Sequence, residues 1–477
     1  MIHNIVPACV SGFKEVQAIF FFATLKKFPQ KNASIFVRCS CNQHFTTIMD
    51  ANSCTIGRFK AQSNKFSGII SKRLSVPKQR LVKQLIYGIQ ACKDVKLSNI
   101  GRALQEDIPL IKTEDRLSRN LDDEDFTKCI NEEILRLGDD KITNAMVIAI
   151  DPGDIVKPYA RAMENLCGIW DGSKGETAKG YHLCQVTAAN LEHNKVVPLY
   201  CEAYSSDEQG YTTSTDKVIK IIDTVIGYTK TNGTWAIDRM GDNNDIINHF
   251  IKRKLRFVTR LKLNRWVCIK NKNGGEIEVQ TERLERHMKL NHKAQITKIA
   301  DGKESVINIT FGITSVTFPG IKETFNAVVV KGFGQQPMIL LTNKAPNIHD
   351  SKSIYQIVEI YLTRWKCDEC YRYIKQSYNL EDLRVRSYYS IRNLTVMVHA
   401  IAYFTSIYIG MNLKLKIMVQ KIFILSKRFF GIPSFFNYAM ADGIFELLKK
   451  TITGIDVGFI GKLGNSSTEI QMDLFPD

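Results

Sequence analysis

Apolar positions along the chain change period twice. Between residues 77 and 135 they recur at helical spacing: Leu81, Leu85, Ile86 and Ile89 share a face behind Pro77, a favourable first-turn residue. LSNIGRAL and TEDRLSRNL continue the pattern, the second with Thr113 as its N-cap. These short helices carry Arg102, Arg116 and Arg119, which suits either a helix-turn-helix or an ordinary helical bundle. Upstream, residues 1–64 show no sustained period. From 145 short apolar runs take over. AMVIAI ends in Asp151, LCQVTAAN and VVPLYCEAY follow, and TWAI ends in Asp238. Between them TDKVIKIIDTVIGY places Val218, Ile219, Ile221, Ile222, Val225 and Ile226 at helix spacing; NNDIINHFIKRKL reads as a second helix and RFVTRL as a further strand.

Three strands, then helix, strand, helix and strand predict an α/β core whose order matches a ribonuclease-H-like sheet, its first three strands antiparallel. A mainly β insertion interrupts it over 265–345, with hairpin chemistry at Asn273-Gly274-Gly275 and alternating runs such as SVINITFGITSVTF. A long helix begins near Ser351, and apolar helices continue to about 450. The expected organisation is an unassigned extension over 1–64, an N-terminal helical DNA-binding domain over 65–140 and the first part of the core over 141–264. The insertion over 265–345, the second part of the core with C-terminal helices over 346–450, and a tail over 451–477 complete it.

Composition narrows the class. With 44% hydrophobic and 24% charged residues in 477, the chain is an ordinary globular protein of several domains. Lys plus Arg number 65 against 48 acids, a formal charge of +17, so a polyanion is the first partner to consider. The acid-free run Lys252, Arg253, Lys254, Arg256, Arg260, Lys262, Arg265 is a candidate phosphate-contacting ridge, with Trp266 after it as a stacking or core aromatic. The twelve cysteines are scattered, as in a reduced, cytoplasmic protein. Cys39, Cys41, His44 and Cys54 are too irregularly spaced for a zinc site, and Cys367 with Cys370 read as helix-facing thiols. Residues 393–413 lack charge and are long enough to span a bilayer, but their Asn393, His399, Thr405 and Ser406 favour a buried core helix; no membrane partner is expected.

Asp151 and Asp238, each closing a short strand, can converge on one point, and Asp368 or Glu369 on the long helix can supply a third carboxylate. Such a cluster repels itself unless divalent cations sit in it, and hard oxygen ligands suit Mg²⁺ or Mn²⁺. Two such ions activate a water or a 3′-hydroxyl and stabilise the leaving oxygen at phosphorus. A lone Asp after a strand is otherwise a turn or capping residue.

The residues around these acids resemble the DDE transposases of bacterial insertion sequences, in the cut-and-paste branch with a Tyr-Arg-Glu-Lys signature, the insertion sequence four group. The signature region reads Tyr361-x2-Arg364-x3-Asp368-x6-Lys375, with Asp where the family has Glu; Asp368 fits the spacing and Glu369 is the alternate. AMVIAIDPGDIVKPYA, WDGSKG, WAIDRMGDNN and NLEDLRVRSYYSIRNL extend the resemblance over about 70–430. It implies a ribonuclease-H-like core interrupted by a β domain, with two Mg²⁺ on Asp151, Asp238 and Asp368. It also implies excision at terminal inverted repeats through a hairpin and joining to target DNA by a homodimer. Tyr361, Arg364 and Lys375 would grip DNA near the cleavage point, and Arg239 beside the second Asp joins the DNA-contacting set. The alternatives are a metal-dependent nuclease without strand transfer, and an inactive descendant that only binds DNA, which the shorter Asp368 motivates. At the C-terminus, QMDLF resembles the peptide that docks bacterial proteins on the replication sliding clamp, with Gln471, Leu474 and Phe475 as anchors; the other reading is a tail packed on its own protein. The implied setting is the bacterial cytoplasm, at the nucleoid.

Overall fold

A computed structural model describes residues 51–426 and 436–455, apart from 173, 192–195, 231, 271–273, 301–302 and 452. Cys39, Cys41, His44, Lys427, Arg428 and the tail residues Gln471, Leu474 and Phe475 lie outside the described residues. Five helices come first: α1 (Ala51–Ser71), α2 (Val76–Cys92), α3 (Leu97–Leu104), α4 (Leu110–Asp122) and α5 (Thr127–Gly138). Next are β1 (Val147–Val156), β2 (Cys167–Asp171), β3 (Glu176–Ala189), β4 (Val196–Tyr204), α6 (Ser214–Thr229), β5 (Thr234–Ile237), α7 (Asn244–Lys252) and β6 (Phe257–Arg260). The β-rich stretch holds β7 (Trp266–Lys270), β8 (Glu276–Gln280), β9 (His292–Ala300), β10 (Lys303–Phe318), β11 (Ile321–Lys331) and β12 (Met338–Thr342). Four helices close the chain: α8 (Ser351–Ser377), α9 (Tyr388–Tyr403), α10 (Lys416–Leu425) and α11 (Asn437–Leu448).

In the sheet, β4 pairs β3, β3 pairs β1 antiparallel, and β5 and β6 run parallel to β1. The alternation of apolar side chains explains why it is covered on both faces. Trp235 and Ile237 of β5, Phe257 of β6 and Leu341 of β12 join one core cluster, which takes in Val218, Ile222 and Phe250 of α6 and α7. Their neighbours Ala236, Val258 and Leu340 belong to a second cluster with Ile354, Ile357, Val358 and Tyr361 of α8. Helix α8 therefore lies across one face, and α6 and α7 across the other.

Two expected boundaries dissolve. The β-rich stretch is continuous with the core sheet rather than a separate body, because β12 pairs antiparallel with β6 (Leu340 with Arg260, Leu341 with Thr259) and so continues what would be an open edge. The described helices of the N-terminal region likewise fall in the same compact unit as the sheet. Asn131 of α5, fully buried, donates to the Cys201 carbonyl at 2.8 Å and accepts the Cys201 amide at 3.0 Å, so its amide substitutes for a strand along β4. The limit placed at 64/65 falls inside α1, whose Phe59, Phe66 and Ile70 are buried; polar residues between them hide the period in the sequence. Thr113 is not a cap: α4 begins three residues earlier behind Pro109, and the Thr113 hydroxyl donates to Glu106.

The charge-free stretch forms α9 and a π-helical turn, Phe404–Ile409, almost entirely buried. Its Asn393 donates to the Leu121 and Glu124 carbonyls and accepts the Phe126 amide, so its polarity is spent inside the protein. No single helix among the described residues is long and apolar enough to cross a membrane; Tyr388–Ile409 and Leu413–Leu425 meet at 89°. His399 in α9 is fully buried, and burial pushes it down to about 3, with the Leu199 main chain opposing weakly. It stays neutral in the fold, whereas the unfolded chain's histidine titrates near its ordinary value, so stability falls as pH drops through that range. His399→Leu should therefore gain about 2 kcal/mol on the wild type between about pH 7.5 and about pH 5, measured by urea unfolding.

Candidate active site

Parallel pairing sets the site. Ile150 of β1 stands opposite Ile237 of β5, so the next residues, Asp151 and Asp238, emerge side by side. Asp151 has the parity of Val147, and Asp238 that of Ala236, so both lie on the face covered by α8. There Asp368 completes the group. One guanidinium nitrogen of Arg364, Nη1, donates to Asp368 Oδ1 at 2.6 Å and to Asp151 Oδ1 at 3.4 Å. Asp238 caps the 3₁₀ turn Arg239–Gly241 by accepting the Met240 amide at 2.9 Å, and its carbonyl accepts the Thr259 hydroxyl.

The charges are crowded. Asp151 is pushed up to about 7, by burial first and then by Asp368 and Asp238, with Arg364 opposing. Asp368 is raised by burial and by Asp238 against the pull of Arg364. Arg364 is itself raised: burial works against its charge, and Asp368 and Asp151 more than offset it. One guanidinium is thus too little positive charge for three carboxylates.

The neighbouring Glu369 faces elsewhere, pairing with Arg372 at 2.9 Å and lying against Tyr438 of α11. Tyr361, expected at the DNA, is buried under the site with its ring 5.8 Å from the Arg364 guanidinium. Lys375 donates to Asp154 at 3.1 Å and Glu381 at 2.8 Å, so it tethers α8 to β1 and to the loop beyond α8. Tyr371 adds a second tether: its hydroxyl donates to the Asp154 carbonyl at 2.9 Å and accepts the Asp154 amide at 3.1 Å. Gly153 leaves the room it needs.

The basic run 252–265 does not form one ridge, because β6 divides it. Lys252, Arg253, Lys254 and Arg256 precede β6 and lie at the sheet edge opposite the acids, about 13 Å of strand away. Arg253 pairs with Asp223 there, and Arg256 donates to Asn144. Arg260, Lys262, Arg265 and Trp266 follow on the acid side. Arg265 packs over Phe318 at 4.7 Å and contacts Asn244, and half-exposed Trp266 lines a small hollow with it. Exposed Arg239 stands beside Asp238.

A feature not singled out in the sequence is a cleft of about 1320 Å³ that reaches Asp368. Lys157, Arg161, Lys174, Arg372, Arg384 and Arg386 line it. Lys157 is pinned by the Leu383 carbonyl at 2.7 Å and by the Glu381 carbonyl, and burial pushes it down to about 8. Arg161, Arg384 and Arg386 are exposed and make no ion pair among the described residues. The local signal was RVRS after the long helix; that it joins the β1–β2 loop in one cleft is a tertiary fact.

Among the described residues no three His, Cys, Asp or Glu side chains form a ready-made metal site. The set nonetheless fits a hard divalent cation. It is all oxygen, and Arg364 Nη1 already places positive charge between two of its members. Asp151, Asp238 and Asp368 would hold the ion once that nitrogen moves.

No family model matches the chain, and no curated protein matches it. Among solved structures, it is similar to a chain of the piggyBac transposase synaptic complex with hairpin DNA, seen by cryo-electron microscopy. Identity is 11%, coverage is 84% of this chain and 79% of that one, and the TM-score is 0.39. The site is therefore read from its own geometry.

The β1–α8 tether is open to measurement. A Cβ at Gly153 would meet the Tyr371 hydroxyl and lie 2.7 Å from its ring carbon. Gly153→Ala should cost roughly 1–3 kcal/mol in urea unfolding, the scale of overpacking a filled site.

Proposed function

We propose that the chain is a DNA transposase of the DDE type, with a ribonuclease-H-like core, that cuts the ends of a mobile element and joins them to target DNA. The observation that carries this reading is the clustering of Asp151, Asp238 and Asp368, the first and third bridged by one guanidinium, beside a cleft that Asp368 lines together with several Lys and Arg. The order β4-β3-β1-β5-β6, antiparallel then parallel, is the arrangement expected of such a core.

Two Mg²⁺ held by the three aspartates would supply Lewis acidity and an activated water or 3′-hydroxyl. The remaining work falls to the chain. Arg161, Arg384 and Arg386 would bind the phosphates of one strand, and Arg239, Arg260, Lys262 and Arg265 would bind those across the acids. The tethers from Tyr371 and Lys375 to Asp154 hold Asp368 against Asp151, and so fix where the scissile phosphorus must sit. Hydrolysis breaks the bond from phosphorus to the 3′-oxygen and frees a 3′-hydroxyl. That hydroxyl then displaces the 3′-oxygen of the opposite strand to give a hairpin, which is reopened before joining to target. The short side chain of Asp368 favours one second reading, a descendant that binds DNA without cutting it.

Purified protein with a duplex carrying the element's terminal repeat, target plasmid and Mg²⁺ tests the proposal. Joined product is expected, and Asp151→Asn, Asp238→Asn and Asp368→Asn should each lower it at least about 100-fold with DNA affinity retained. Cleavage without joining would indicate a nuclease, and equal behaviour of Asp151→Asn and wild type would indicate the inactive binder. The two sheet edges should also differ. Arg384→Ala with Arg386→Ala should lower the slope of log affinity against log salt by about 2, and Lys252→Ala with Lys254→Ala should leave it unchanged.

A further inference from the structure

We infer that Arg364 closes the carboxylate site to cations until a DNA phosphate draws its guanidinium away, so that cation loading is coupled to substrate binding. The inference rests on the transposase reading and adds a regulatory contact to it.

The geometry carries it. A single nitrogen touches Asp151 and Asp368 at 3.4 and 2.6 Å, so the two oxygens lie no farther apart than those distances laid end to end. A cation bridging these two Oδ1 atoms would compete with Nη1 for both of them. Arg364 is not a bystander that an ion could displace freely. Its side chain is 11% exposed, its head lies against the Tyr361 ring, and the two aspartates hold it. Arginine cannot be neutralised by losing a proton, so it can only be moved.

The same contact leaves the guanidinium under-used. Of its five donors, those described go to the two aspartates, and its buried Nε has no hydrogen-bond partner. A phosphate offers paired oxygens that match the fork of a guanidinium and hold it strongly. The route is short, because Asp368, the tighter partner, itself lines the cleft with its basic walls. Cation and Arg364 compete for the carboxylates, while carboxylates and phosphate compete for Arg364. Two competitions sharing one member make phosphate and cation mutually favourable, and by reciprocity each raises the other's affinity by the same factor. Without DNA, the site resists loading and cannot hydrolyse a stray ester.

Mn²⁺ binding to the full chain, followed by loss of the free-ion paramagnetic resonance signal, tests this without any turnover. Wild type alone should bind Mn²⁺ weakly, and a duplex oligonucleotide with a methylene in place of the bridging 3′-oxygen at the scissile position, which keeps both non-bridging oxygens and cannot be hydrolysed there, should tighten binding about 10-fold or more, within the usual range of coupling. Arg364→Gln should bind Mn²⁺ tightly without DNA and gain nothing from the duplex, and adding Asp151→Asn to it should abolish the tight site. Arg364→Lys, which keeps charge and stem, covers a folding defect in the glutamine variant and should give an intermediate affinity. If the Arg364 variants bind Mn²⁺ no more tightly than wild type, or if DNA tightens all of them equally, the gate is wrong and the carboxylate site stands. If no form binds Mn²⁺ at Asp151, with or without DNA, the gate falls together with the transposase reading beneath it.

Discussion

The register of one parallel ladder governs the chemistry of this chain. Ile150 lies opposite Ile237, which sets Asp151 and Asp238 abreast on the face of α8. A slip of one residue would turn one carboxylate toward α6 and α7 and leave the other alone. The register is held from both sides by buried side chains. Trp235, Ile237 and Ile148 are buried toward one cluster, and Val147 and Ala236 toward the other. The site is thus a by-product of core packing, and its acids sit where the apolar run of each strand stops.

Helix α8 converts that ladder into a three-sided site. Its first half is apolar and seats the helix on the sheet; its second half carries Arg364, Asp368, Tyr371 and Lys375. Tyr371 and Lys375 both reach Asp154, three residues past Asp151, so the separation of the acids is fixed by neutral and ionic contacts that are not themselves among them. Asp151 is raised first by burial and then by Asp368, and the tethers keep the helix against the strand despite that repulsion.

Much of this was legible in the sequence, and the failures share a cause. A carboxylate after a strand-length apolar run is by itself a weak signal, and Asp151 and Asp238 are picked out by the resemblance of the residues around them. Asp368 is chosen by its spacing with Glu369 kept as the alternate, because adjacent helical residues differ by about 100° and only packing says which faces inward. The run 252–265 looked like one ridge because linear charge density does not register that a buried strand, β6, passes through it. The body expected over 265–345 merged into the core because β12 pairs with β6, a contact between segments far apart in sequence. Tyr361 and Lys375 are assigned to DNA by the signature resemblance; the structure buries one and pairs the other.

The amide of Asn131 along β4 has a consequence for how the chain came to be organised. All nine residues of β4 are buried although β3 is its only strand partner among the described residues, and α5 reaches its backbone through Asn131. An uncovered edge of that length is a template for a neighbouring chain's strand. The helices before the sheet therefore act as its protective flank, and a fragment beginning at β1 would present a sticky border in place of a finished surface.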